Sequence, residues 1–339
     1  MKTKEVRKLI GGSSSKSHNF RSHPGLVLGA TSTAIGVSGF VFSQINEHFF
    51  KDTESDNVSG FIYFWGISML IGYFAGSIVL GPINPETEKE PVEAEETPLL
   101  GEENASLQQK QDISGKALLT NPYAIAVFCT LFMSLGLGYV YLANLGQILL
   151  ALSPTAGSAG SAGSAQHLRN VHVSLFSGVN CSSRVIFGFL SDLLKRRYGI
   201  HRIWTMWFCV ILLLATLVYL TTAVVTQEAL ILGTSLMGIV YGLAFGVTPA
   251  AISEFGRKVF ARNWGWMLYA PAIGSQTFSI VFGILYDAEA QREGADVCYG
   301  VGCFRSTFTV GIVCTLLCLL LVSWAIVRGK LYKREDRYV

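Results

Sequence analysis

Long apolar stretches separated by short polar segments make up most of the sequence. Eight of them reach the roughly 20 residues that a helix needs to cross the hydrocarbon core of a bilayer. They cover residues 25–45, 60–82, 122–152, 171–194, 203–226, 229–254, 264–286 and 304–327. The stretches are continuously apolar and lack the alternation of membrane β-strands. The pattern therefore predicts an all-α membrane protein with eight transmembrane helices, two of them kinked at Pro249 and Pro271.

The distribution of charge predicts the orientation of these helices. Eight spans place both termini on one side, and the segments of that side carry 21 of the 26 Lys and Arg residues, against 4 on the opposite side. The positive-inside rule then puts both termini in the cytosol. Only 14% of the residues are charged, against about 25% in soluble domains. The composition therefore argues against a soluble enzyme, and a net charge of +3 is too small to suggest a nucleic-acid binder.

The polar segments divide the chain into five parts. These are a basic cytosolic segment 1–24, two transmembrane helices within 25–82, an acidic linker 83–121, a six-helix unit 122–328 and a basic tail 329–339. The composition of the linker predicts disorder. Inside it, Glu95 stands four residues before Leu99 and Leu100, which resembles an acidic dileucine sorting signal that binds a sorting adaptor. An apolar pair in a charged linker is the alternative interpretation.

Two of the seven cysteines lie outside the predicted spans. Cys298 and Cys303 share a loop on the non-cytosolic side, which derives from the secretory pathway, where disulfides persist. A disulfide between them is therefore predicted. Metal binding is the weaker alternative, because two thiols without a nearby histidine form half a site at most. On the same side, the small-residue segment 155–165 predicts a flexible loop.

No set of residues typical of a catalytic, metal or cofactor site occurs in the sequence, so neither enzymatic activity nor a cofactor is expected. Polar residues inside the spans are the better functional candidates, since each is costly in lipid. Arg184 lies eight residues from the cytosolic helix end at Asp192, or about 12 Å along the helix. This buried cation is a candidate for binding an anionic substrate. Alternatively, it pairs with backbone carbonyls or with an acid at the helix end.

Three amides complete the candidate substrate site. Asn180 precedes Arg184 by one helical turn and shares its face. Asn144 and Gln147 belong to the glycine-containing segment 136–147, where a broken helix could expose backbone groups to a substrate. The alternative is interhelical hydrogen bonding, worth about 0.6 kcal/mol per bond. No Asp or Glu lies deep in any span, so the sequence offers no membrane-embedded carboxylate for proton transfer.

A short motif connects the sequence to a known superfamily. Residues 188–197, GFLSDLLKRR, resemble the GxxxD motif with a basic loop of the major facilitator superfamily. Its members here are Gly188, Asp192, Lys195, Arg196 and Arg197. The glycine permits close helix approach, the aspartate stands at a helix end, and the basic residues hold the cytosolic face. The resemblance implies a conformational gate, a cluster that locks one state and releases it in another.

Other segments resemble the nodulin-like and monocarboxylate-transporter-homologue branch of that superfamily. Residues 136–147 are similar to its seventh helix and residues 180–184 to its eighth. Residues 238–242 and 249–256 are similar to its tenth helix, and residues 263–265, 270–275 and 285–287 to its eleventh. The fungal monocarboxylate-transporter-homologue group is the nearest. The resemblance implies the major facilitator fold, with these eight spans equivalent to helices 5–12 of twelve. It also implies a vacuolar membrane, with the plasma membrane as the alternative. Related carriers have Asp four residues before the eighth-helix Arg, whereas Asn180 stands here, which argues against proton–monocarboxylate symport.

Two functions follow as hypotheses. The first is a secondary transporter of a small solute, with an organic anion as the candidate, that works by alternating access with Arg184 and the three amides facing its cavity. The second is a non-transporting receptor or nutrient sensor on the same fold. The expected partners are the lipid bilayer, a small-molecule substrate and a sorting adaptor. Four helices are expected to be missing, through a truncated gene model or a genuine short form, so the 339-residue chain alone is expected not to transport.

Overall fold

The computed structural model describes residues 24–50, 58–79, 112–153, 162–256, 258–294 and 297–331. Within these ranges the secondary structure is helical, without any strand. The helices are α1 (Pro24–Phe49), α2 (Val58–Val79), α3 (Lys116–Leu119), α4 (Pro122–Ala143), α5 (Leu145–Ala151), α6 (Ala162–Tyr198), α7 (Ile203–Thr222), α8 (Gln227–Ser253), α9 (Phe260–Met267), α10 (Tyr269–Glu293) and α11 (Gly302–Arg328). The predicted all-α membrane class is confirmed.

Seven helical segments of the described residues are long and apolar enough to cross a bilayer. They are Ser59–Ile78, Pro122–Ala143, Gln166–Tyr198, Ile203–Thr222, Gln227–Ser253, Phe260–Glu293 and Gly302–Arg328. Each corresponds to one of the predicted spans. The remaining predicted span coincides with α1, a helix of 26 residues that is not among these seven, and the side chains of its first residues lie outside the described part.

The helices pack as two groups. α1, α6 and α8 form one group, and α4, α7, α10 and α11 form the other, with α8 contacting both α4 and α7. α2 stands at the edge, where it touches α1 through edge-to-face pairs such as Phe42 with Phe64 and Phe50 with Phe61. Most of its other large apolar side chains point outward, as expected for a helix facing lipid or further helices.

The third predicted span is interrupted at Asn144, and not at the glycines as the sequence suggested. α4 continues through Gly136 and Gly138 and ends at Ala143, and α5 follows directly. Gly136 instead brings α4 against α10, since a Cβ there would lie 2.8 Å from the carbonyl carbon of Gly274. Small residues of this kind let membrane helices approach closely. The glycines therefore serve packing, and the helix ends one to two turns later.

Two other spans differ from their predicted form. α6 begins at Ala162, so the end of the segment predicted as a flexible loop is helical. The seventh span is divided at Leu268, which places Pro271 in the first turn of α10. A proline there interrupts no helical hydrogen bond, so the kink predicted at this position is replaced by a helix start. Pro249 lies inside α8 as expected.

The end of the acidic linker is folded, which corrects the prediction of disorder for residues 112–121. The amide of Ile113 donates to the carbonyl oxygen of Phe255 at 2.8 Å, and Asn263 Nδ2 donates to the carbonyl oxygen of Ile113 at 2.9 Å. This strand-like contact attaches the linker to the connection between α8 and α9. The sorting signal predicted at Glu95, Leu99 and Leu100 lies outside the described residues.

Candidate functional site

The contact between α6 and α8 organises the centre of the molecule. Both helices run in the same direction, and residues four apart on one helix face residues four apart on the other. The α6 residues are His172, Phe176, Asn180 and Arg184, and the facing α8 residues are Thr234, Gly238, Gly242 and Gly246. This arrangement is an in-register stripe of the kind formed by i, i+4 ridges. We refer to it as the α6–α8 seam.

Glycines bring the backbones of the seam into contact. A Cβ on Gly246 would lie 2.5 Å from the carbonyl oxygen of Arg184, and one on Gly242 would lie 2.5 Å from the carbonyl oxygen of Asn180. Real Cβ atoms do not approach this closely, so neither position accepts a side chain without separating the helices. The seam therefore fixes the backbone that carries Arg184 and Asn180.

Arg184 is fully buried and makes contacts on three sides. Its Nε donates to Asn180 Oδ1 at 3.0 Å, and its Nη1 donates to the backbone carbonyl oxygen of Ser32 in α1 at 2.6 Å. The guanidinium carbon lies 4.5 Å from the ring centroid of Phe245 in α8, within the range of a cation–π contact. The side chain is thus held by one amide, one backbone carbonyl and one aromatic face.

The charge of Arg184 has no carboxylate partner among the described residues. Its Nη2 is buried without a hydrogen-bond partner. A buried cation that is compensated only by neutral groups retains a large desolvation cost, and a free N–H pair on a planar guanidinium suits a carboxylate or phosphate oxygen. The arrangement can therefore accept an anion at Nη2.

The structure brings only one of the three predicted amides to Arg184, namely Asn180. Asn144 lies at the junction of α4 and α5, where its Nδ2 donates to the carbonyl oxygen of Val140 at 2.9 Å. Gln147 is exposed on α5. Both lie near the C-terminal end of α4. That end is about 33 Å from Pro122, because α4 extends for 22 residues.

A cluster of charged residues joins the other ends of the helices, at the predicted cytosolic face. Asp192, in the last two turns of α6, places its Oδ1 2.7 Å from Nη2 of Arg202, the residue just before α7. Arg202 Nε in turn donates to Glu254 Oε1 at 2.8 Å, and Lys195 Nζ donates to the same oxygen at 2.8 Å. Glu254 follows α8 directly, so three helix ends are connected. We refer to these four residues as the cytosolic cluster, after the side on which the distribution of Lys and Arg predicts them.

Neighbouring groups extend the cytosolic cluster to α4. Tyr123 donates its hydroxyl to Glu254 Oε2 at 3.3 Å, and His201 Nε2 lies 3.7 Å from the same oxygen. Arg202 Nη1 donates to Ser191 Oγ at 2.8 Å. α4, α6, α7 and α8 therefore meet through one network of ionic and polar contacts.

The cytosolic cluster shifts the ionisation of its central members. Burial would raise the pKa of Glu254, but the positive charges of Lys195, Arg202 and His201 outweigh it and hold that pKa below its ordinary value of 4.5. Burial would likewise lower the pKa of Arg202, and the charges of Glu254 and Asp192 raise it instead. Both groups are therefore charged at neutral pH.

Only part of the predicted gate motif belongs to the cytosolic cluster. Gly188 is buried in the last turns of α6, and its carbonyl oxygen accepts from Ser191 Oγ at 2.9 Å. Arg196 and Arg197 are exposed, whereas Asp192 pairs with Arg202, a residue that the motif does not contain. Sequence reasoning missed Arg202 and Glu254. The signal that could have found them is their position, since both stand at ends of apolar spans on the predicted cytosolic side.

On the opposite face, a disulfide joins Cys298 to Cys303, with the two Cα atoms 5.8 Å apart. The loop between them packs on α5, because the amide of Gly300 donates to the carbonyl oxygen of Ala151 at 2.8 Å. Among the described residues, no group of three or more His, Cys, Asp or Glu side chains is placed to hold a metal ion.

Comparison with known proteins identifies the class. The helical structure of the described residues and their seven apolar, membrane-spanning helical segments are those of an all-α, multi-pass membrane protein of the major facilitator type. Residues 111–333 match the family model of the NFD4 C-terminal domain, which is about two thirds of the sequence. The chain belongs to this family.

Similar fungal proteins support that assignment. The chain is 26% identical over 275 residues to "Probable transporter MCH1" of Wickerhamomyces anomalus, covering 78% of this chain and 54% of the relative. It is 23% identical over 330 residues to the Saccharomyces cerevisiae protein of the same name, covering 90% and 66%. The corresponding Gibberella zeae protein is 27% identical over 234 residues, covering 60% and 40%. The predicted resemblance to the fungal monocarboxylate-transporter-homologue group is thereby confirmed, and the chain spans about half the length of these relatives.

Proposed function

We propose that this chain forms the C-terminal lobe and part of the first lobe of a secondary transporter that moves a small organic anion by alternating access. The observation that carries the proposal is Arg184, a fully buried cation with one unpartnered nitrogen. The relatives are named probable transporters, which supports the general class. In this account α4 to α11 belong to the second lobe, and α1 and α2 to the first.

The chemistry of the Arg184 pocket favours an anionic solute. A carboxylate at Nη2 would supply the negative charge that Asn180, Phe245 and the Ser32 carbonyl do not. The free energy gained on binding this carboxylate would be large, because the pocket is shielded from water and charge-assisted hydrogen bonds are stronger in such surroundings. A neutral solute would leave the buried charge of Arg184 uncompensated.

Access to Arg184 requires movement between the two lobes, since Ser32 of α1 covers the guanidinium. The contact of α1 with α6 is close at Gly36 and Gly39, where added Cβ atoms would lie 3.3 Å from Asn180 Nδ2 and 2.7 Å from Ser177 Oγ. Small residues allow such an interface to separate and re-form without disrupting a packed side-chain core. Separation of α1 from α6 would release Nη1 as well, so both terminal nitrogens could bind a carboxylate.

The cytosolic cluster serves as the gate in this account. Its ion pairs tie Asp192, Lys195, Arg202 and Glu254 together across three helix ends. Breaking them would allow α6, α7 and α8 to move apart on the cytosolic side. Gly188 supports the cluster through its bond with Ser191, and the exposed Arg196 and Arg197 hold the helix end at the cytosolic surface.

We further propose that the protein resides in the vacuolar membrane with both termini in the cytosol. The excess of Lys and Arg on one side, 21 against 4, supports the orientation. The sequence from Glu95 to Leu100 supports recognition by a sorting adaptor in the linker. Replacement of Leu99 and Leu100 by alanine tests the sorting role, because it should move the protein to another membrane without changing its abundance.

Transport by vacuolar vesicles tests the function directly. Vesicles that contain a complete transporter with this chain as its C-terminal part should accumulate at least one of radiolabelled acetate, lactate, succinate or citrate, and Arg184→Gln should abolish this uptake at equal protein abundance. Arg169→Gln, which alters an exposed cation on the same helix, is the matched control and should leave uptake within twofold. Binding of these anions without any flux would instead identify a sensor, and normal uptake by Arg184→Gln would refute the role of Arg184.

A further inference from the structure

A buried histidine occupies the other end of the seam that holds Arg184. His172 precedes Arg184 by twelve residues on the same face of α6, or about 18 Å along the helix. Its side chain is fully buried. Its Nδ1 lies 2.6 Å from Thr234 Oγ1 of α8, and the same oxygen lies 2.5 Å from the hydroxyl of Tyr141 in α4. The three side chains thus join both helix groups of the lobe.

The hydrogen bonds of Thr234 Oγ1 indicate which ring nitrogen of His172 carries a hydrogen. Thr234 Oγ1 also donates to the carbonyl oxygen of Leu230 at 2.9 Å, and a carbonyl oxygen can only accept. With the hydroxyl proton of Thr234 on that carbonyl, its oxygen accepts from Tyr141 and from Nδ1 of His172. In this arrangement Nδ1 of His172 carries a hydrogen. The nitrogen that gains or loses a proton is Nε2.

Nε2 has no hydrogen-bond partner, although it is buried. In the part of the chain that the structure describes, no carboxylate is bonded to this imidazole. Titratable and charged groups on the surrounding elements include Tyr139 and Tyr141 of α4, Glu228 and Tyr241 of α8, Glu47 and His48 of α1, and His167, Arg169 and Arg184 of α6 itself. Of these, Glu47 is engaged by His167 at 2.7 Å and by Asn170 at 3.1 Å.

We propose that Nε2 of His172 is the proton-binding site through which the transporter couples anion movement to a pH gradient. Its lone pair accepts a proton from the aqueous compartment to form an N–H bond, and the same bond breaks when the proton is released on the other side. No group is oxidised or reduced. The inference rests on the proposed transport function for its coupling, whereas proton binding itself needs no solute. It also fills a gap, because no membrane-embedded carboxylate is available in the predicted spans.

The α6–α8 seam connects His172 to the anion site at Arg184. An imidazolium needs an acceptor at Nε2, and a buried charge without one is costly, so protonation favours a state in which the surroundings of His172 have changed. A shift of α8 at Thr234 also moves α6, because the backbones of the two helices are in direct contact at Gly242 and Gly246. The backbone of Arg184 lies against Gly246, so a proton at one end alters the geometry at the other.

Proton binding is tested by nitrogen NMR of the chain in lipid nanodiscs with ¹⁵N-labelled histidine. The wild type should show one buried histidine that is protonated at Nδ1 and gains a proton at Nε2 within pH 4–8, and His172→Gln should lack this signal. Thr234→Val keeps the imidazole but removes its partner, so it should shift the titration. Thr315→Val removes a buried hydroxyl that bonds only the carbonyl of Gly311 and should not. If Nε2 of His172 binds no proton anywhere between pH 4 and 8, the proposal is overturned.

Coupling is tested in the vesicles used for uptake. With lactate and succinate as probes, His172→Gln should lose more than tenfold of the accumulation that a pH gradient drives, while exchange of labelled for unlabelled anion stays within twofold of wild type. Full gradient-driven accumulation by His172→Gln overturns the coupling role. If no anion moves in the wild type, the proposed transport function fails, and the NMR titration still decides whether His172 binds a proton.

Discussion

Arg184 Nη1 donates a hydrogen bond of 2.6 Å to the carbonyl oxygen of Ser32. This bond crosses from α6, in the six-helix unit, to α1, which precedes the linker. The cation proposed to bind the anion is thus attached to the helix that must move to admit it. Binding of an anion and separation of α1 from α6 are therefore linked events, because each changes what the guanidinium contacts.

A reversible cross-link between α1 and α6 tests whether this interface must open. A Cβ on Gly39 would lie 3.9 Å from the Cβ of Ser177, within the range of about 3.5–4.5 Å found in disulfides. We expect the double variant Gly39→Cys/Ser177→Cys to form a disulfide under oxidising conditions and to lose anion uptake. Reduction should restore it, as measured by uptake and by gel mobility after proteolysis in the linker. Each single variant is the control, and undiminished uptake by the cross-linked form would show that the interface need not open.

Glu254→Gln should weaken the cytosolic cluster. The glutamine retains the shape but loses the charge that Lys195 and Arg202 share, so we expect a loss of about 3 kcal/mol in unfolding free energy. Thermal denaturation in detergent measures the change. Glu228→Gln, an exposed position in the first turn of the same helix, serves as the comparison and should cost less than about 1 kcal/mol.

The same pair of proteins predicts a pH dependence. The pKa of Glu254 is lowered in the folded state from 4.5, so its charge stabilises the fold fully above about pH 4.5 and this contribution is lost as pH falls through the native pKa. The stability difference between wild type and Glu254→Gln should therefore shrink on acidification below pH 4.5. A difference that grows at acidic pH would contradict the charge pairing.

Gly246→Ala should disturb the seam at the site of Arg184. The added Cβ would lie 2.5 Å from the Arg184 carbonyl oxygen and 2.9 Å from its Cα, so α6 and α8 must separate, at a cost of about 1–3 kcal/mol. We expect reduced thermal stability and weakened anion binding together. Gly178→Ala is the matched control, because a Cβ there meets nothing within 4 Å, and it should leave both properties unchanged. Equal behaviour of the two variants would show that the seam does not position Arg184.

The sequence predicted the helices well and their contacts poorly. Apolar length located the spans because a bilayer demands about 20 apolar residues whatever the tertiary structure. The break at Asn144 and the start of α10 at Tyr269 were missed, because glycine and proline signal both close packing and helix interruption. Only the neighbouring helix decides between them, as Gly274 does for Gly136.

For the candidate site, single costly residues could be recognised but their partners could not. Arg184 stood out because a cation inside a span is rare, and Asn180 followed from its spacing of one turn. Ser32 could not be found, since it contributes a backbone carbonyl that any residue possesses. The sequence did not single out His172, because its partners Thr234 and Tyr141 lie far away in the sequence and meet it only through the helix packing.

Anion binding by the purified chain in lipid nanodiscs tests the central claim most directly. Isothermal titration with acetate, lactate, succinate and citrate should detect binding of at least one carboxylate, weakened more than tenfold in Arg184→Gln and unchanged within twofold in Arg169→Gln. Arg184→Lys should bind with intermediate affinity, because it keeps the charge but loses the planar pair of N–H donors. Equal affinity of the wild type and Arg184→Gln, or no carboxylate binding by the wild type, would contradict the assignment of Arg184 as the anion site.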